Sequence, residues 1–420
     1  MLRLAEARYR CTSCGDCCRG WDVPLQPGEA DAFRRLAAPL VPAERLAKAI
    51  KRATHAGVAV DALVGAGGQC VALAEDQLCR VHAAHGGEAK PRACQIFPFT
   101  FVATPTEVRV GLSFACPAVI DGEGAPLADQ RADIERLFAG AVDGTRYLLR
   151  LAEPIALGGE QALGWPEAAR LLGELERAFA VGGKLESRLC RAGAVAALVQ
   201  AKLEAGAKFD AALDAALAER DALAAEALAD SPSVDRLSRA LFRTLLKSTE
   251  PDPAGALGRL GGALASLVSN SAVRLRGRGG ANSRRAEIRW ADAERVPPGL
   301  GDDGEALLAR WIAGALASLT FFGAAAFELP IAAGLDLLVL SSAVAAFLAR
   351  AYAAEAGRAR VALDDVRAAL RQLDAGLSHR SSMPAGFARA LAATASLDLL
   401  REQLRGTQSG PAHSDSGGRS

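Results

Sequence analysis

The chain has 420 residues, half of them hydrophobic but only 5% aromatic, so its apolar content is mostly Ala and Leu. That length allows two or three domains, and the composition favours helices packed through small side chains over aromatic-rich sandwiches. With 49 Lys+Arg against 48 Asp+Glu, the overall field gives no reason to expect a nucleic-acid or acidic-membrane partner.

Met1–Arg10 is charged throughout and has no apolar run of signal-peptide length, which points to a reducing cytoplasm. Four cysteines then fall within eight residues, Cys11, Cys14, Cys17 and Cys18, followed by Cys70, Cys79, Cys94 and Cys116. Pro27–Asp31 reads as the start of a helix to Ala38, and Pro42 opens another, with Leu46 and Ile50 at helical spacing. Phe99–Val102 and Val108–Leu112 flank Ala-Thr-Pro-Thr-Glu, the pattern of a short hairpin. From about residue 127 to 404 the periodicity is helical, as in Leu171–Phe179, Phe209–Leu228 and Val234–Leu246. Cys190 falls in this part and reads as a small buried hydrophobe.

The helical pattern breaks over 269–299. There Arg274, Arg276, Arg278, Arg284, Arg285 and Arg289 are interleaved with glycines, as a solvated loop or one that grips phosphate, carboxylate or nucleic acid. Two apolar runs, Trp311–Phe327 and Leu337–Ala349, are each short of the roughly 20 residues of a membrane span. They read as two buried helices joined near Glu328–Pro330, with no membrane partner. The expected fold is mainly α. A small irregular Cys-rich metal-binding domain with a short β-hairpin spans 1–120, an all-α helical domain follows over 121–404, and 405–420 has the composition of a disordered tail.

In a reducing compartment, crowded thiols point to metal more than to disulfides. Cys11, Cys14 and Cys17 are spaced two residues apart, so one turn can aim several sulfurs at a point, with Gly15 supplying backbone freedom. Soft thiolates select zinc or iron–sulfur clusters. The spacing is the opening of a bacterial ferredoxin run, although Cys18 interrupts it and the closing Cys-Pro comes only at Cys116–Pro117. Eight cysteines exceed the four that one zinc or one cluster takes. One or two centres are therefore expected, with Cys11, Cys14, Cys17, Cys18, Cys70, Cys79, Cys94 and Cys116 as ligands. His82 and Arg92 are candidates for the surrounding shell, Arg92 as a donor that offsets thiolate charge. His379 reads as a structural histidine, and no catalytic acid or base stands out.

Cys-x2-Cys-Gly-x-Cys-Cys, Leu78-Cys79-Arg-Val-His82, Lys90-Pro91-Arg92-Ala-Cys94-Gln-Ile-Phe97-Pro98 and Ser113-Phe-Ala-Cys116-Pro117 resemble the YkgJ-type cysteine-cluster family. The resemblance covers residues 11–118. It extends loosely to Arg310–Ile312 and Gly334–Leu338, which are similar to methylase-like members. It implies a zinc- or iron-chelating domain and, in the flagellin lysine N-methylase branch, an iron–sulfur cluster with S-adenosylmethionine as methyl donor and a protein substrate such as flagellin. The residues carry no Rossmann-type Gly-x-Gly-x-x-Gly: Val58-Ala-Val60 runs through Gly65–Gly68 into Cys70 instead of a helix. Three functions follow as expectations: a cluster-dependent protein-lysine methyltransferase, a structural zinc-binding interaction module, and a thiol redox sensor. Iron–sulfur is the favoured centre and zinc the alternative.

Overall fold

The computed structural model describes residues 1–19, 22–55, 58–64, 69–141, 148–230, 232, 242, 272–275, 286–378 and 397–405. The expected helix 234–246 (Phe242 apart), Arg276, Arg278, Arg284 and Arg285, the glycines 65–68, His379 and the tail beyond Arg405 lie outside them.

The cysteine-rich part opens with β1 (Leu2–Leu4) and β2 (Arg8–Tyr9), passes a 3-10 turn at Asp16–Cys18 and enters β3 (Val23–Pro24). In α1 (Glu29–Ala37) the first turn holds Glu29 and Asp31 and the last holds Arg34 and Arg35, signs that suit the helix dipole. Its buried edge is Ala30, Phe33 and Ala37, spaced as one helical face. α2 (Ala43–Ala47) is shorter than expected, because Ile50 begins a strand instead. β4 (Ile50–His55) pairs antiparallel with β5 (Val58–Leu63), and β5 also takes β3. The ladder prevails because Val60, Ala62 and Leu63 have a core to enter, which a five-residue helix cannot offer.

After α3 (Arg80–His85) and α4 (Arg92–Ile96), the expected hairpin forms from β6 (Phe99–Ala103) and β7 (Val108–Leu112), with Phe99 opposite Leu112 and Ala103 opposite Val108. α5 (Pro117–Asp121), β8 (Ala125–Pro126), α6 (Arg131–Ala141) and β9 (Leu148–Arg150) follow. β8 closes on β2, and β9 joins the sheet β1-β7-β6-β9. Segments beyond residue 120 thus complete ladders begun at the N-terminus.

The remainder is mainly helical, as expected, with short ladders added. β10 (Ile155–Gly158) and β11 (Gln161–Leu163) precede α7 (Trp165–Ala180), α8 (Leu185–Glu204) and α9 (Phe209–Ala227). β12 (Ala272–Leu275) pairs with β13 (Ala286–Arg289), so part of the expected 269–299 break is a strand pair. Val273 and Leu275, two apart, are both buried. α10 (Trp290–Arg295), α11 (Gly301–Ala317), α12 (Ile331–Glu355), α13 (Leu363–Ser378) and α14 (Leu397–Arg405) complete the body.

The two apolar runs enter α11 and α12, but the first is not a single helix. α11 stops at Ala317, and Gly323 bridges to Leu329 across a turn. Only a glycine fits at 334, where a Cβ would stand 2.3 Å from the Phe321 carbonyl. α12 is long and apolar enough to cross a membrane by length and composition, yet 78% of its apolar window is buried inside the fold. It packs against α8, α10, α13 and α14, the setting in which a helix is apolar on all sides. Of its buried polar groups, Arg350 donates to the Val296 and Glu294 carbonyls (2.8 and 2.9 Å) and to Gln403 Oε1 (2.7 Å), Tyr352 Oη donates to Gln372 (2.8 Å) and Ser342 Oγ to the Leu338 carbonyl (2.7 Å), while Ser341 Oγ is buried with no partner among the described residues.

Candidate metal centre

Gly15 has φ +70°, and a Cβ there would meet the Gln77 carbonyl at 2.7 Å. The Cys14–Cys17 turn therefore lies against the turn at residues 73–77, a fit that needs both the left-handed backbone and the missing side chain. The Cys70 amide donates to the Cys18 carbonyl at 2.8 Å, and Arg19 bridges Gln69, so Cys18 and Cys70 run side by side. Leu73 bridges Cys79, which opens α3. Cys94 lies in α4, whose first amide, Arg92 N, donates to Glu29 Oε1 at 2.7 Å. Cys70, Cys79 and Cys94 pack on one small core that includes Val23, Phe33, Leu63, Val71 and Val81. Cys116 precedes α5, with Pro117 in the first helical position, and belongs to the large core of the body.

None of the nine cysteines is joined in a disulfide. Cys11, Cys14 and Cys17 are exposed, Cys18, Cys70, Cys79 and Cys94 half-buried, and Cys116 buried. Burial pushes the Cys70 and Cys116 thiols up to about 11 and raises Cys94 further. A hydrogen bond shared by Cys17 and Cys18 favours the thiolate on Cys17, drawn down to about 7, and the thiol on Cys18. Charge on Cys17 is felt at Cys18, Cys70, Cys94 and Cys116. Cys79 acts on Cys70 and Cys94, and Cys14 on Cys116. Tyr9 is pushed up by burial and then by Cys11, Cys116 and Cys17, with a hydrogen bond to Cys11. Cys17 thus shares its electrostatic surroundings with Cys18, Cys70, Cys94 and Cys116. Cys190 is apart from them, half-buried in α8 with its thiol toward the Ala224 carbonyl at 3.8 Å.

As the side chains stand, no three His, Cys, Asp or Glu groups among the described residues close on a single ion. What fits a thiophilic metal is the donor set: eight sulfurs, five of them half-buried or buried, whose mutual repulsion a soft cation relieves. His82 is exposed and lies by Gly87. Lys90 favours the thiolate at Cys17 and Cys94. Arg92 instead gives its Nη1 to Gln95 Oε1 at 2.6 Å. Tyr9 and Glu29 were not legible as site residues, because each reaches the cysteines only through the fold. Lys90 stands in the Lys-Pro-Arg-Ala-Cys motif and could have been read there.

Residues 10–116 match the CxxCxxCC family, described as a "Putative zinc- or iron-chelating domain". The N-terminal part is a cysteine-cluster domain of that family. Two lysine-N-methylases, from Salmonella choleraesuis and Salmonella typhimurium, are 32% and 31% identical over 112 and 118 residues, 26% and 27% of this chain. The chain spans 27% and 29% of their lengths. The flagellar biosynthetic protein FliU of Salmonella muenchen is 31% identical over 112 residues, 26% of this chain and 65% of that protein. No solved structure matches.

Proposed function

We propose that this protein carries a thiolate-ligated metal centre, an iron–sulfur cluster in preference to zinc, built by the cysteine-cluster domain and braced by the helical body. What supports the reading is the donor set of eight cysteines in the cysteine-rich part, with the Cys18 and Cys70 backbones side by side and Cys70, Cys79 and Cys94 on one small core, while the candidate imidazole, His82, is exposed. An all-sulfur donor set suits an iron–sulfur cluster at least as well as tetrahedral zinc, and the Cys11–Cys14–Cys17 spacing tips the choice. The test is elemental analysis and a visible spectrum of anaerobically purified protein. Iron with sulfide and a brown colour support the cluster, and stoichiometric zinc in a colourless sample supports the alternative. Cys17→Ser should lose most of the metal while Cys190→Ser keeps it, and equal retention by both would refute the assignment.

A second reading, protein-lysine N-methylation with S-adenosylmethionine as donor, rests on the lysine-N-methylase relatives. Their similarity covers the cysteine-cluster part, so the helical body would have to supply the donor and substrate surfaces. Calorimetry with S-adenosylmethionine on the metal-loaded chain tests it, and an absence of binding removes it. A protein substrate such as flagellin and a cytoplasmic location belong to this proposal.

A further inference from the structure

Helix α13 touches the cysteine-rich part at three places along one face. Arg367, Arg371 and Asp374 are spaced i, i+4 and i+7, which stacks them on one side of a helix. Arg367 Nε lies 3.2 Å from Asp121 Oδ1, at the end of α5. Arg371 Nη2 lies 2.8 Å from Asp16 Oδ2, within the Cys14–Cys17 turn. Asp16 also takes Arg19 Nη1 at 3.3 Å, and the same nitrogen approaches the Cys14 carbonyl at 3.4 Å. Asp374 accepts from Ser113 Oγ at 2.5 Å and from the Ala115 amide at 3.1 Å through Oδ2, and from Trp311 Nε1 at 3.1 Å through Oδ1. The Cys116 amide in turn donates to the Ser113 carbonyl at 3.3 Å. From α11, Arg310 donates to the Val119 and Ile120 carbonyls, so the Cys116 segment is held at both ends.

These contacts divide the thiols into two sets. Cys70, Cys79 and Cys94 are placed by the small core around α1 and β5. Cys14, Cys17 and Cys116 are placed by segments that α13 grips. We propose that α13 sets the geometry of the metal centre, with Arg371 and Asp374 as positioning residues for the Cys14–Cys17 turn and for Cys116. This rests on the metal-centre reading. It goes beyond it by assigning a role to residues of the body more than 250 positions distant in sequence from the thiols they hold. Charged hydrogen bonds to a ligand-bearing loop are the usual means by which a protein orients metal ligands, and their loss typically costs about 10–100-fold in metal affinity.

The test compares Asp374→Asn, Arg371→Gln and Ser113→Ala with wild type and with Arg170→Gln, an exposed ion-pair residue remote from the cysteines. Ser113→Ala leaves the helix and its carboxylate intact, so it reads the same contact should Asp374→Asn fail to fold. Each protein is reconstituted anaerobically with ferrous iron and sulfide, or with zinc, and metal release to a coloured chelator is timed. The three variants should release metal about 10–100-fold faster, with a shifted visible spectrum in the iron-loaded form and unchanged helical circular dichroism. In the metal-free proteins, iodoacetamide should alkylate Cys14 and Cys116 faster than in wild type, with Cys190 unchanged. Wild-type release and wild-type alkylation in all three variants would overturn the positioning role and leave the metal centre standing. A wild-type chain that takes up neither iron nor zinc would sink the metal centre itself, and the alkylation rates would then decide the grip of α13 alone.

Discussion

Cys70 and Cys116 show how single residues link this site to pH. Each thiol is pushed up from 9.0 to about 11 by burial, so between those values the unfolded chain holds fewer protons than the folded one. Stability from these groups is therefore complete below pH 9 and is lost as pH rises toward 11. The metal-free protein should melt at progressively lower temperature across that range. The metal-loaded protein, whose ligating thiols are already deprotonated, should fall less. Thermal melts at stepped pH, with and without chelator, check both. Gly15 gives a second prediction at this scale. A Cβ at φ +70°, facing the Gln77 carbonyl at 2.7 Å, should cost about 1–2 kcal/mol in backbone strain alone. Gly15→Ala should therefore lower both the urea midpoint and the bound metal.

Among the elements, α4 depends on another helix for its start. Glu29 in α1 accepts from the Gln26 amide through Oε2 and from Arg92 N through Oε1, each at 2.7 Å. One carboxylate thus fixes the entry to α1 and the first turn of the helix that carries Cys94. Glu29→Ala leaves both amides without that acceptor and should cost about 1–3 kcal/mol, read as a lower urea midpoint. It should also speed alkylation of Cys94 in the metal-free protein. The hairpin β6–β7 follows its sequence pattern, because alternation and a Pro-Thr-Glu turn are local signals. α2 departs from its pattern, because Ile50 found a strand partner in Leu63, 13 positions away. Such pairing outweighs helical spacing in so short a segment.

At the scale of the whole molecule, two cores meet at the thiols. The small one holds Cys70, Cys79 and Cys94, and the large one, built on α12 and its neighbours, holds Cys116. Removing metal should therefore loosen the small core first, since its apolar residues are few and metal binding and folding are coupled in such regions. Limited proteolysis after chelation should cut within residues 1–120 before it cuts α7–α9 or α11–α13. Simultaneous cleavage across both would show that the two cores unfold together.

The sequence by itself determined the thiol-rich chemistry, the mainly helical body and the hairpin, because spacing and periodicity are properties of neighbours along the chain. Only the tertiary structure decided that Cys18 and Cys70 run side by side, that Arg92 reaches Gln95, and that α13 clasps the cysteine loops. The first and last of these arise from contacts between distant segments. Ion pairs such as Arg371–Asp16 leave no periodic trace, since either partner looks like an ordinary surface charge until the fold brings them to 2.8 Å.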